Sequence, residues 1–360
     1  MKLGEVAEIR GRIGYRGYRT EDLVAKECGA LVIGGKHISQ NRLDLSDPDY
    51  LSWAKFLESP EIAIEEDDII IAQRGTLGRS ALVKYDIGKA TINPSVLILR
   101  HKLVNARFLH YTLLKDDSIS YVMRCASKTS IPMISQKQLG DMPIYQASLE
   151  EQEKIASFLS LIDERIEVQN AIIKEREVAK TLLSKELLTP EDDWTEYAVQ
   201  DCLTYEQPAK YIVKHTDYSS DSTLTPVLTA NKGFILGYTS EQGIYQKGAC
   251  IIFDDFTLDC KYVPFAFKVK SSAIKILQAR KGFDIRFMFE VIKSLSLSPF
   301  AHKRHYISEV EPIKILVPSF AKQEKIARLF EALDERLAVE KEYATLLQKQ
   351  KAYLLRQMFV

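Results

Sequence analysis

The sequence predicts an α+β protein of two α/β blocks, each followed by a long helix, with the two helices pairing as an antiparallel coiled coil. The main observation is an internal repeat: residues 148–189 match 319–360 at a constant offset of 171, and twelve of the 42 paired positions are identical. QEKIA recurs at 152–156 and 323–327, and DER at 163–165 and 334–336. Each copy follows a β-rich block of similar length. A repeat of this size indicates two similar modules.

The repeat and the blocks divide the chain into four segments. The first block spans residues 1–147 and the first long helix 148–190; the second block spans 191–318 and the second long helix 319–360. Short apolar runs bounded by turn residues predict strands in both blocks, at 29–33, 69–72, 95–99, 251–253, 264–269 and 273–277. We also predict one helix in each block, at 106–114 and 287–293. One apolar strand is predicted just before each long helix, at 142–146 and 313–318.

Each long helix has an apolar seam with heptad spacing. A helix of about 40 residues spans roughly 60 Å and outruns a small domain, so we expect the seams to pack mainly against each other. The alternative is that each helix packs only on its own block. If a pseudo-twofold axis relates the two block–helix units, the helices run antiparallel. The predicted helix-pairing residues are Ile155, Leu159, Ile162, Ile166, Ile326, Phe330, Leu333 and Leu337.

Two local features refine the prediction for these helices. Ser148 and Glu151 have the spacing of a capping box at the start of the first helix. Gln169 and Glu340 interrupt the seams at matching positions. These polar residues either fix the register of the helices, as buried polar residues do in coiled coils, or, as we favour, mark a wet part of the seam.

The composition is that of a globular protein with no overall attraction to polyanions. The 360 residues include 49 Lys+Arg and 49 Asp+Glu, which gives a formal net charge of zero. Any binding to nucleic acid must therefore come from local basic patches. The five cysteines form no CxxC pair, which predicts reduced thiols. No apolar run approaches the ~18 residues of a membrane span, so we expect a cytoplasmic protein without membrane association.

Residues 10–19, RGRIGYRGYR, form a basic segment without an acidic residue. Arginine can donate to guanine O6 and N7 or to phosphate, tyrosine can stack on bases or bind phosphate, and glycine allows a loop to approach closely. A solvated basic turn is the alternative. The predicted DNA contacts in this segment are Arg10, Arg12, Tyr15, Arg16, Tyr18 and Arg19.

Smaller polar turns add further candidates for DNA contact. Two arginines flank a pair of glycines at 74–79, where a plain hairpin is the alternative. Polar loops occupy similar positions in the two blocks, at 128–130 and 302–305. Asparagine can pair with adenine, although Asn-Lys-Gly at 231–233 is also ordinary turn chemistry. The predicted contacts in these turns are Arg74, Arg79, Lys128, Thr129, Asn231, Lys232, Lys261, Tyr262, Lys303 and Arg304.

No motif for catalysis, cofactor binding or metal binding is complete in the sequence. Residues 47–50, DPDY, depart from the (D/N)PP(Y/F) loop of adenine methyltransferases at Asp49, and an FxGxG cofactor loop is missing. There is no GxxxxGK(S/T) loop for ATP. His302 and His305 lack a nearby cysteine or carboxylate that would complete a metal site. We therefore expect no catalytic residue, no cofactor and no metal.

With these segments in place, the sequence resembles the specificity (S) subunits of type I restriction–modification enzymes. The resemblance rests mainly on the two QEKIA…DER helices that follow a proline-containing strand end. It covers nearly the whole chain, and its other segments are 10–18, 68–79, 92–96, 226–241, 251–257 and 267–277. Block one begins almost at Met1, without the extra N-terminal helical segment of some members, which suggests a compact or circularly arranged variant.

The resemblance implies a non-catalytic protein with two target-recognition domains, one for each half of a split double-stranded DNA site. The long helices would be spacer helices that set the gap between the halves and a platform for two methyltransferase subunits. Motor–nuclease subunits would join in the full complex. The DER segments would either contact the methyltransferases or form a solvated charged face with intrahelical pairs.

We therefore expect a DNA sequence-specificity subunit that reads a bipartite, asymmetric site and positions methyltransferase subunits. One alternative is a single-chain DNA methyltransferase or nuclease, which would be active without partners. The other is a coiled-coil adaptor that does not bind DNA, and a salt-dependent DNA-binding assay would distinguish it.

Overall fold

The computed structural model describes residues 1–127, 130–230, 233–295, 297 and 304–359. These residues form two compact units. The first contains Met1–Ala171 with Glu342–Val360, and the second contains Ile172–Lys341. The boundary between the units falls within each of the two long helices, so each long helix contributes one part to each unit.

The first unit contains a four-stranded, a three-stranded and a two-stranded sheet (β3-β4) and a set of mostly short helices. Its helices are α1 (Leu3–Val6), α2 (Trp53–Leu57), α3 (Ala106–Leu113), α4 (Asp116–Cys125), α5 (Gln136–Gly140) and the first part of α6 (Leu149–Leu187). Its strands are β1 (Ala7–Arg10), β2 (Gly29–Ile33), β3 (Ile38–Ser39), β4 (Arg42–Leu43), β5 (Asp49–Ser52), β6 (Ile69–Ala72), β7 (Ser80–Leu82), β8 (Ala90–Ile92) and β9 (Val96–His101).

The second unit has a similar set of elements in the same order. Its strands are β10 (Thr195–Ala198), β11 (Leu203–Glu206), β12 (Thr225–Leu228), β13 (Ile235–Thr239), β14 (Cys250–Asp254), β15 (Cys260–Val263), β16 (Lys268–Val269), β17 (Ile274–Ala279) and β18 (Lys314–Val317). Its helices are the end of α6, α7 (Val199–Cys202), α8 (Ile285–Ser294) and most of α9 (Phe320–Gln357). The end of α9 belongs to the first unit.

The two units share one sheet topology. In the first unit the strand orders are β1-β9-β6-β7 and β5-β2-β8, and in the second they are β11-β17-β14-β15 and β13-β12-β16. The strand directions agree as well, because β2 pairs antiparallel with β5 and parallel with β8, as β12 does with β13 and β16. The prediction that both blocks follow the same plan with different residues is therefore confirmed.

The central strands are buried on both faces, which explains their continuous apolar runs. Along β6, Ile69 and Ile71 pack into one core while Ile70 and Ala72 pack into another. β14 divides in the same way, since Ile251 and Phe253 face one core and Ile252 the other. The runs at 69–72 and 251–253 were predicted as strands because of this continuous apolar character.

One predicted strand is wrong, because of a proline, and a second is shortened. The predicted strand at 142–146 is reduced to a single bridge between Lys2 and Pro143, because proline has no N–H to extend a ladder. The equivalent pair in the second unit, Ala198 and Lys314, belongs to the full β10–β18 ladder. The prediction at 264–269 shortens to Lys268–Val269, and Pro264 lies at the start of the lost part.

The long helices pair antiparallel within each unit, as predicted. In the first unit, Asp163 of α6 binds Lys351 of α9 at 2.6 Å, and Arg165 binds the Tyr343 hydroxyl at 3.1 Å. In the second unit, Arg176 of α6 pairs with Glu340 of α9, and the later residue Lys180 pairs with the earlier residue Asp334. The two helices therefore run in opposite directions there as well. The predicted capping box is present, since Ser148 Oγ accepts from Glu151 N and Glu151 Oε2 accepts from Ser148 N.

The seam residues serve both packing modes that the sequence left open. Ile162 and Ile166 pack against Leu347 of the other helix. The seam residues nearer the helix starts also pack on their own block. Leu159 and half-buried Ile155 share a cluster with α3 and the end of α9, and Ile326, Phe330 and Leu333 lie in the main core of the second unit. Leu337 is half-buried. Gln169 and Glu340 are only 5% and 9% exposed, so the wet seam that we favoured is not observed at either residue.

Candidate DNA interface

The turn between β6 and β7 presents two arginines at the surface of the first unit. Gly75 and Gly78 have φ angles of 73° and 79°, which glycine adopts at little steric cost. A Cβ at Gly75 would meet no atom within 4 Å, so this glycine is required by the backbone conformation and not by lack of space. The turn leaves Arg74 and Arg79 exposed.

A loop before α5 lies directly against this turn. Gly75 N donates to Pro132 O at 3.3 Å, and Arg74 Nε donates to the Met133 sulfur at 3.3 Å. Ser127 N donates to Met133 O, which closes the base of the loop. The two basic stretches that the sequence singled out at 74–79 and near 128 thus converge at one end of the first unit. Lys128 and Thr129 themselves lie outside the described residues.

Arg12 is turned into the protein and is not available as the direct DNA contact that its sequence context predicts. It is only 7% exposed. Its Nε donates to Ile92 O at 2.9 Å, one terminal nitrogen donates to Thr91 Oγ1 at 3.0 Å, and the guanidinium lies 5.3 Å from the ring centroid of Tyr18. Burial lowers the pKa of Arg12 and raises the pKa of Tyr18. We assign both side chains to the internal framework of the loop.

The other arginines of the basic segment differ in their exposure. Arg10 donates to Glu8 and to the Glu61 carbonyl, and Arg16 forms an ion pair with the Glu61 carboxylate at 3.2 Å. The sequence read this segment as acid-free, but the fold brings in Glu61 from a distant turn. The Arg19 side chain lies 3.5 Å from the Glu21 carboxylate but remains 85% exposed. Tyr15 lies in a short 3-10 turn, Gly14–Arg16.

The equivalent turn of the second unit, between β14 and β15, is acidic. Asp255 is buried and accepts hydrogen bonds from the backbone N–H groups of His305 and Tyr306 at 3.1 and 2.8 Å. Its carboxylate also lies 3.6 Å from the buried Lys275 and 4.0 Å from Arg304. The polar segment near 304 therefore meets its hairpin turn as the loop near 130 does in the first unit. This supports the predicted equivalence of the two polar loops.

Lys261 and Tyr262 lie on opposite faces of β15. Lys261 is exposed, whereas Tyr262 packs under α8 with the Arg286 guanidinium 5.0 Å from its ring centroid. Burial raises the pKa of Tyr262. Tyr262 is thus a packing residue and not the surface contact that the sequence suggested. The predicted contacts Asn231, Lys232 and Lys303 lie outside the described residues.

A glutamine from each QEKIA motif joins a long helix to the block that precedes it. Gln152 Oε1 accepts from the N–H of Asn105, the N-cap of α3, and Gln152 Nε2 donates to Ala147 O, both at 2.9 Å. Gln323 makes the same two bonds at 2.9 Å, with the N–H of Asp284 (the N-cap of α8) and with Pro318 O. Both glutamines are buried. These paired bonds orient each block on its helix and give a physical reason for the repeated glutamine.

The aspartates of the DER motifs also connect several parts of the fold. The alternative that the DER segments form a solvated charged face is therefore not observed for these two residues. Asp163 accepts from the Tyr111 hydroxyl at 2.8 Å as well as from Lys351. Asp334 accepts from Arg286 of α8 at 2.5 Å and from Lys180 of α6. Each aspartate thus links its own helix, the other long helix and the nearby block.

A polar cavity of about 310 Å³ lies beside α6 in the first unit, lined in part by Arg42, Lys84, Glu167 and His110. Arg42 and Lys84 both pair with Glu167, at 2.7 and 3.1 Å, and so anchor β4 and β7 to the helix. His110 is buried, and its Nε2 has no hydrogen-bond partner within the described ranges. Burial, with a smaller effect of the Lys351 charge, lowers the pKa of His110 to about 4.

Two features are absent from the part of the chain that the structure describes. No group of three or more His, Cys, Asp or Glu side chains there is arranged to hold a metal ion. Among the described helices, none has the apolar length that a membrane span requires.

Sequence reasoning missed several residues that organise this interface. No sequence pattern points to Glu61. For Gln152 and Gln323, the repeat itself is the only pattern in the sequence that singles them out. The apolar side chains Ile131 and Met133 beside the arginine turn were also missed, although they are 62% and 36% exposed. A signal for them exists, because residues 118–140 contain no acidic residue while retaining exposed apolar ones.

Comparison with protein families matches residues 1–177 to the type I restriction modification DNA specificity domain. The chain is 44% identical to the specificity subunit of the EcoR124 type I restriction enzymes of Escherichia coli over 154 residues, which are 38% of either chain. The match thus spans about two fifths of that relative's length. The chain is 25% identical to a candidate type I specificity subunit of Mycoplasma pneumoniae over 277 residues, 72% of this chain and 73% of that one.

A solved structure resembles the fold along the whole chain. It is the S subunit of a type I restriction–modification system from M. genitalium, with a TM-score of 0.66 and 15% identity over 100% of this chain and 95% of that one. At this identity the likeness concerns the fold alone. The two-block, two-helix architecture is therefore one that a type I S subunit also adopts.

Proposed function

We propose that this chain, whose residues 1–177 match the type I restriction modification DNA specificity domain, is the non-catalytic, DNA-reading subunit of a type I restriction–modification complex. Each unit reads one half of a bipartite, asymmetric site in double-stranded DNA. The long helices set the gap between the halves and hold two methyltransferase subunits. Motor–nuclease subunits join for restriction, and the chain acts in the cytoplasm.

The observation that carries this proposal is the repetition of one topology with opposite turn chemistry. The two larger sheets of each unit have the same strand order. Yet the turn after the central strand reads QRGTLGR in the first unit and DFTLD in the second, at 73–79 and 255–259. Two copies of one scaffold with different end loops support two readers that recognise different sequences.

Cationic side chains at these ends are the proposed DNA contacts. In the first unit we propose Arg19, Arg74 and Arg79, with Arg10 and Arg16 available after exchange of Glu61 for phosphate. In the second unit we propose Lys261 and Arg304. Contacts to phosphate would set the register of the protein on the DNA. Contacts to bases in the major groove would determine the specificity. From the sequence alone we retain Tyr15, Lys128, Thr129, Asn231, Lys232 and Lys303 as candidates.

Exposed apolar side chains on the long helices support the two methyltransferase docking sites. On α6, Phe158, Leu161 and Val168 are 45%, 58% and 60% exposed. Helical periodicity places them on one face, opposite the buried side of the helix. On α9, Leu329 and Val339 lie at the offset of 171 from Phe158 and Val168, and they are 39% and 58% exposed.

We call these faces stripe one (Phe158, Leu161, Val168) and stripe two (Leu329, Val339). Apolar side chains kept in water at the same positions of both repeats are typical of a partner surface. Because the stripes are equivalent, they suit two copies of one partner, and a methyltransferase subunit is the partner that the family implies. Each stripe lies within a single unit, so each docking site is complete in its own unit.

The test is the methylation pattern that the chain directs. The full chain is expressed with a methyltransferase subunit from the same source, and the DNA of the host is sequenced with detection of modified bases. We expect methylation at a split motif of two short specific halves around a fixed unspecific gap.

Methylation at one short continuous motif would retain DNA reading but contradict two readers with a spacer. No methylation, together with failure of the two proteins to co-purify, would instead favour the adaptor or the single-chain enzyme. A methyltransferase expressed without the chain is the control for background methylation.

A further inference from the structure

Exposed apolar side chains surround the arginine turn of the first unit. We call Ile119, Met123, Ile131 and Met133 the apolar rim; they are between 36% and 62% exposed. Side chains of this kind normally pack into a core, and a group of them in water marks a contact surface. The rim lies at the part of the first unit where Arg74 and Arg79 are proposed to meet DNA.

Contacts on two sides tie the rim to the turn. Met133 accepts the hydrogen bond from Arg74 Nε at 3.3 Å, and the neighbouring Pro132 accepts from Gly75 N at 3.3 Å. On the other side of the turn, a Cβ at Gly78 would lie 3.6 Å from the Ile119 side chain. Met123 follows Ile119 by about one turn of α4, so both lie on the same helix face.

The charge around the rim identifies the partner as nucleic acid. Neither 69–85 nor 118–140 contains an aspartate or glutamate, while both contain arginine and lysine. Two acid-free segments with net positive charge complement phosphate. In the major groove of DNA, the 5-methyl group of thymine is the apolar group at a base edge. An apolar rim on a phosphate-attracting surface therefore matches thymine.

We propose that Met133, with Ile131 beside it, reads the 5-methyl group of a thymine next to a guanine read by Arg74. The proposal rests on the proposed DNA-reading function and names what one reader recognises. Because Arg74 Nε is directed to the Met133 sulfur, the fork toward guanine O6 and N7 falls to its two terminal nitrogens. The side-by-side arrangement makes the two bases neighbours in the half-site of the first unit.

The second unit has a different turn and should not share this preference. Its turn carries Asp254, Asp255 and Asp259 in place of arginines. The exposed apolar side chain there is an aromatic one, Phe256, at 40%. The thymine preference is therefore confined to one half of the site.

The experiment measures binding of the full chain, co-purified with its methyltransferase, to duplexes of the split motif found by methylation sequencing. Each thymine is replaced in turn by deoxyuridine, which removes only the methyl group. At one thymine we expect affinity to fall about fourfold, as for loss of one buried methyl group. In Met133→Ala, binding to the thymine duplex is weakened and the deoxyuridine substitution has no further effect.

Leu103→Ala is the matched control, because Leu103 is exposed at 70% and lies outside the rim. It should respond to deoxyuridine as the unaltered chain does. Met133→Gln provides a second variant of similar size should the alanine variant fold poorly.

The outcomes separate this inference from the proposed function. If the complex selects its split motif but no deoxyuridine substitution changes binding, or if that half-site has no thymine beside a guanine, the inference is wrong while DNA reading stands. If the effect persists in both Met133 variants, another residue reads the methyl group and the inference is also wrong. If the complex binds a duplex with both half-sites scrambled as tightly as the split motif, the proposed function itself fails.

Discussion

Arg12 and Arg19 lie seven positions apart in one basic segment, but the fold gives them different roles. The Arg12 guanidinium donates hydrogen bonds to the Ile92 carbonyl and the Thr91 hydroxyl, which lie 80 and 79 residues away along the chain. Arg19 keeps an exposed side chain. A buried arginine with its donors satisfied organises the loop, whereas an exposed one can exchange water for phosphate. Type and local spacing of residues do not separate these roles.

His110 should make the stability of the first unit depend on pH. Its folded pKa, about 4, lies below the ordinary value of 6.5, so the unfolded chain takes up the proton first as the pH falls. The stability contribution is complete above about pH 6.5 and is lost between pH 6.5 and 4. We expect urea denaturation to show a loss of about 1 kcal/mol from this residue between pH 7.5 and 5.5.

His110→Gln should remove that part of the pH dependence. His215→Gln is the matched control, because His215 is exposed, and it should leave the pH dependence as it is in the unaltered chain. An unchanged loss in His110→Gln would mean that other groups cause the acid sensitivity.

At the level of elements, the repeated positions on the long helices are those that join three parts of the fold. The glutamine of QEKIA bonds the N-cap of a block helix, and the aspartate of DER bonds the other long helix and the block. Asp163 and Lys351 recur at the offset of 171 as Asp334 and Lys180. The same reciprocal ion pair therefore occurs once in each unit. Residues at such junctions cannot change without loss of several contacts.

The Asp163–Lys351 pair should contribute a measurable coupling energy to folding. Both side chains are largely buried, with 13% and 16% exposed, and the pair is therefore weakly screened. In a double-mutant cycle with Asp163→Asn and Lys351→Met, we expect a coupling of about 1–2 kcal/mol in urea denaturation.

The exposed pair Glu150–Lys154 on the same helix provides the control. Its side chains are 78% and 72% exposed, and its coupling should be much smaller because solvent screens it. Equal couplings for the two pairs would contradict a special role of the DER aspartate.

At the level of the whole molecule, the two equivalent stripes should bind two copies of one partner independently. Phe158→Glu places a charge on stripe one, and Leu329→Glu places one at the matching position of stripe two. Each single variant should hold one methyltransferase copy in place of two, and the double variant none, because a charge in an apolar interface is left desolvated. Native mass spectrometry of the purified complexes measures the number of copies.

Leu103→Glu, on an exposed loop residue outside both stripes, should keep both copies. Loss of both copies in either single variant would contradict two separate docking sites. Retention of both copies in the double variant would place the docking surface elsewhere.

The sequence by itself determined the repeated plan of this protein. The constant offset of 171, the heptad seams and the Ser148–Glu151 cap are local or periodic signals, and such signals survive because a helix is built from contacts three and four residues apart. The continuous apolar runs at 69–72 and 251–253 likewise marked strands buried on both faces. The family resemblance followed from the same repeated segments.

The tertiary structure alone decided which polar residues face solvent. Glu61 reaches Arg16 across 45 residues, and Arg12 reaches Ile92 across 80, so no local pattern could predict either contact. The apolar rim also required the structure, because its members come from α4 and from a loop that the turn at Arg74 brings together. Long-range pairing sets burial, and burial decides whether an arginine supports the fold or remains available to DNA.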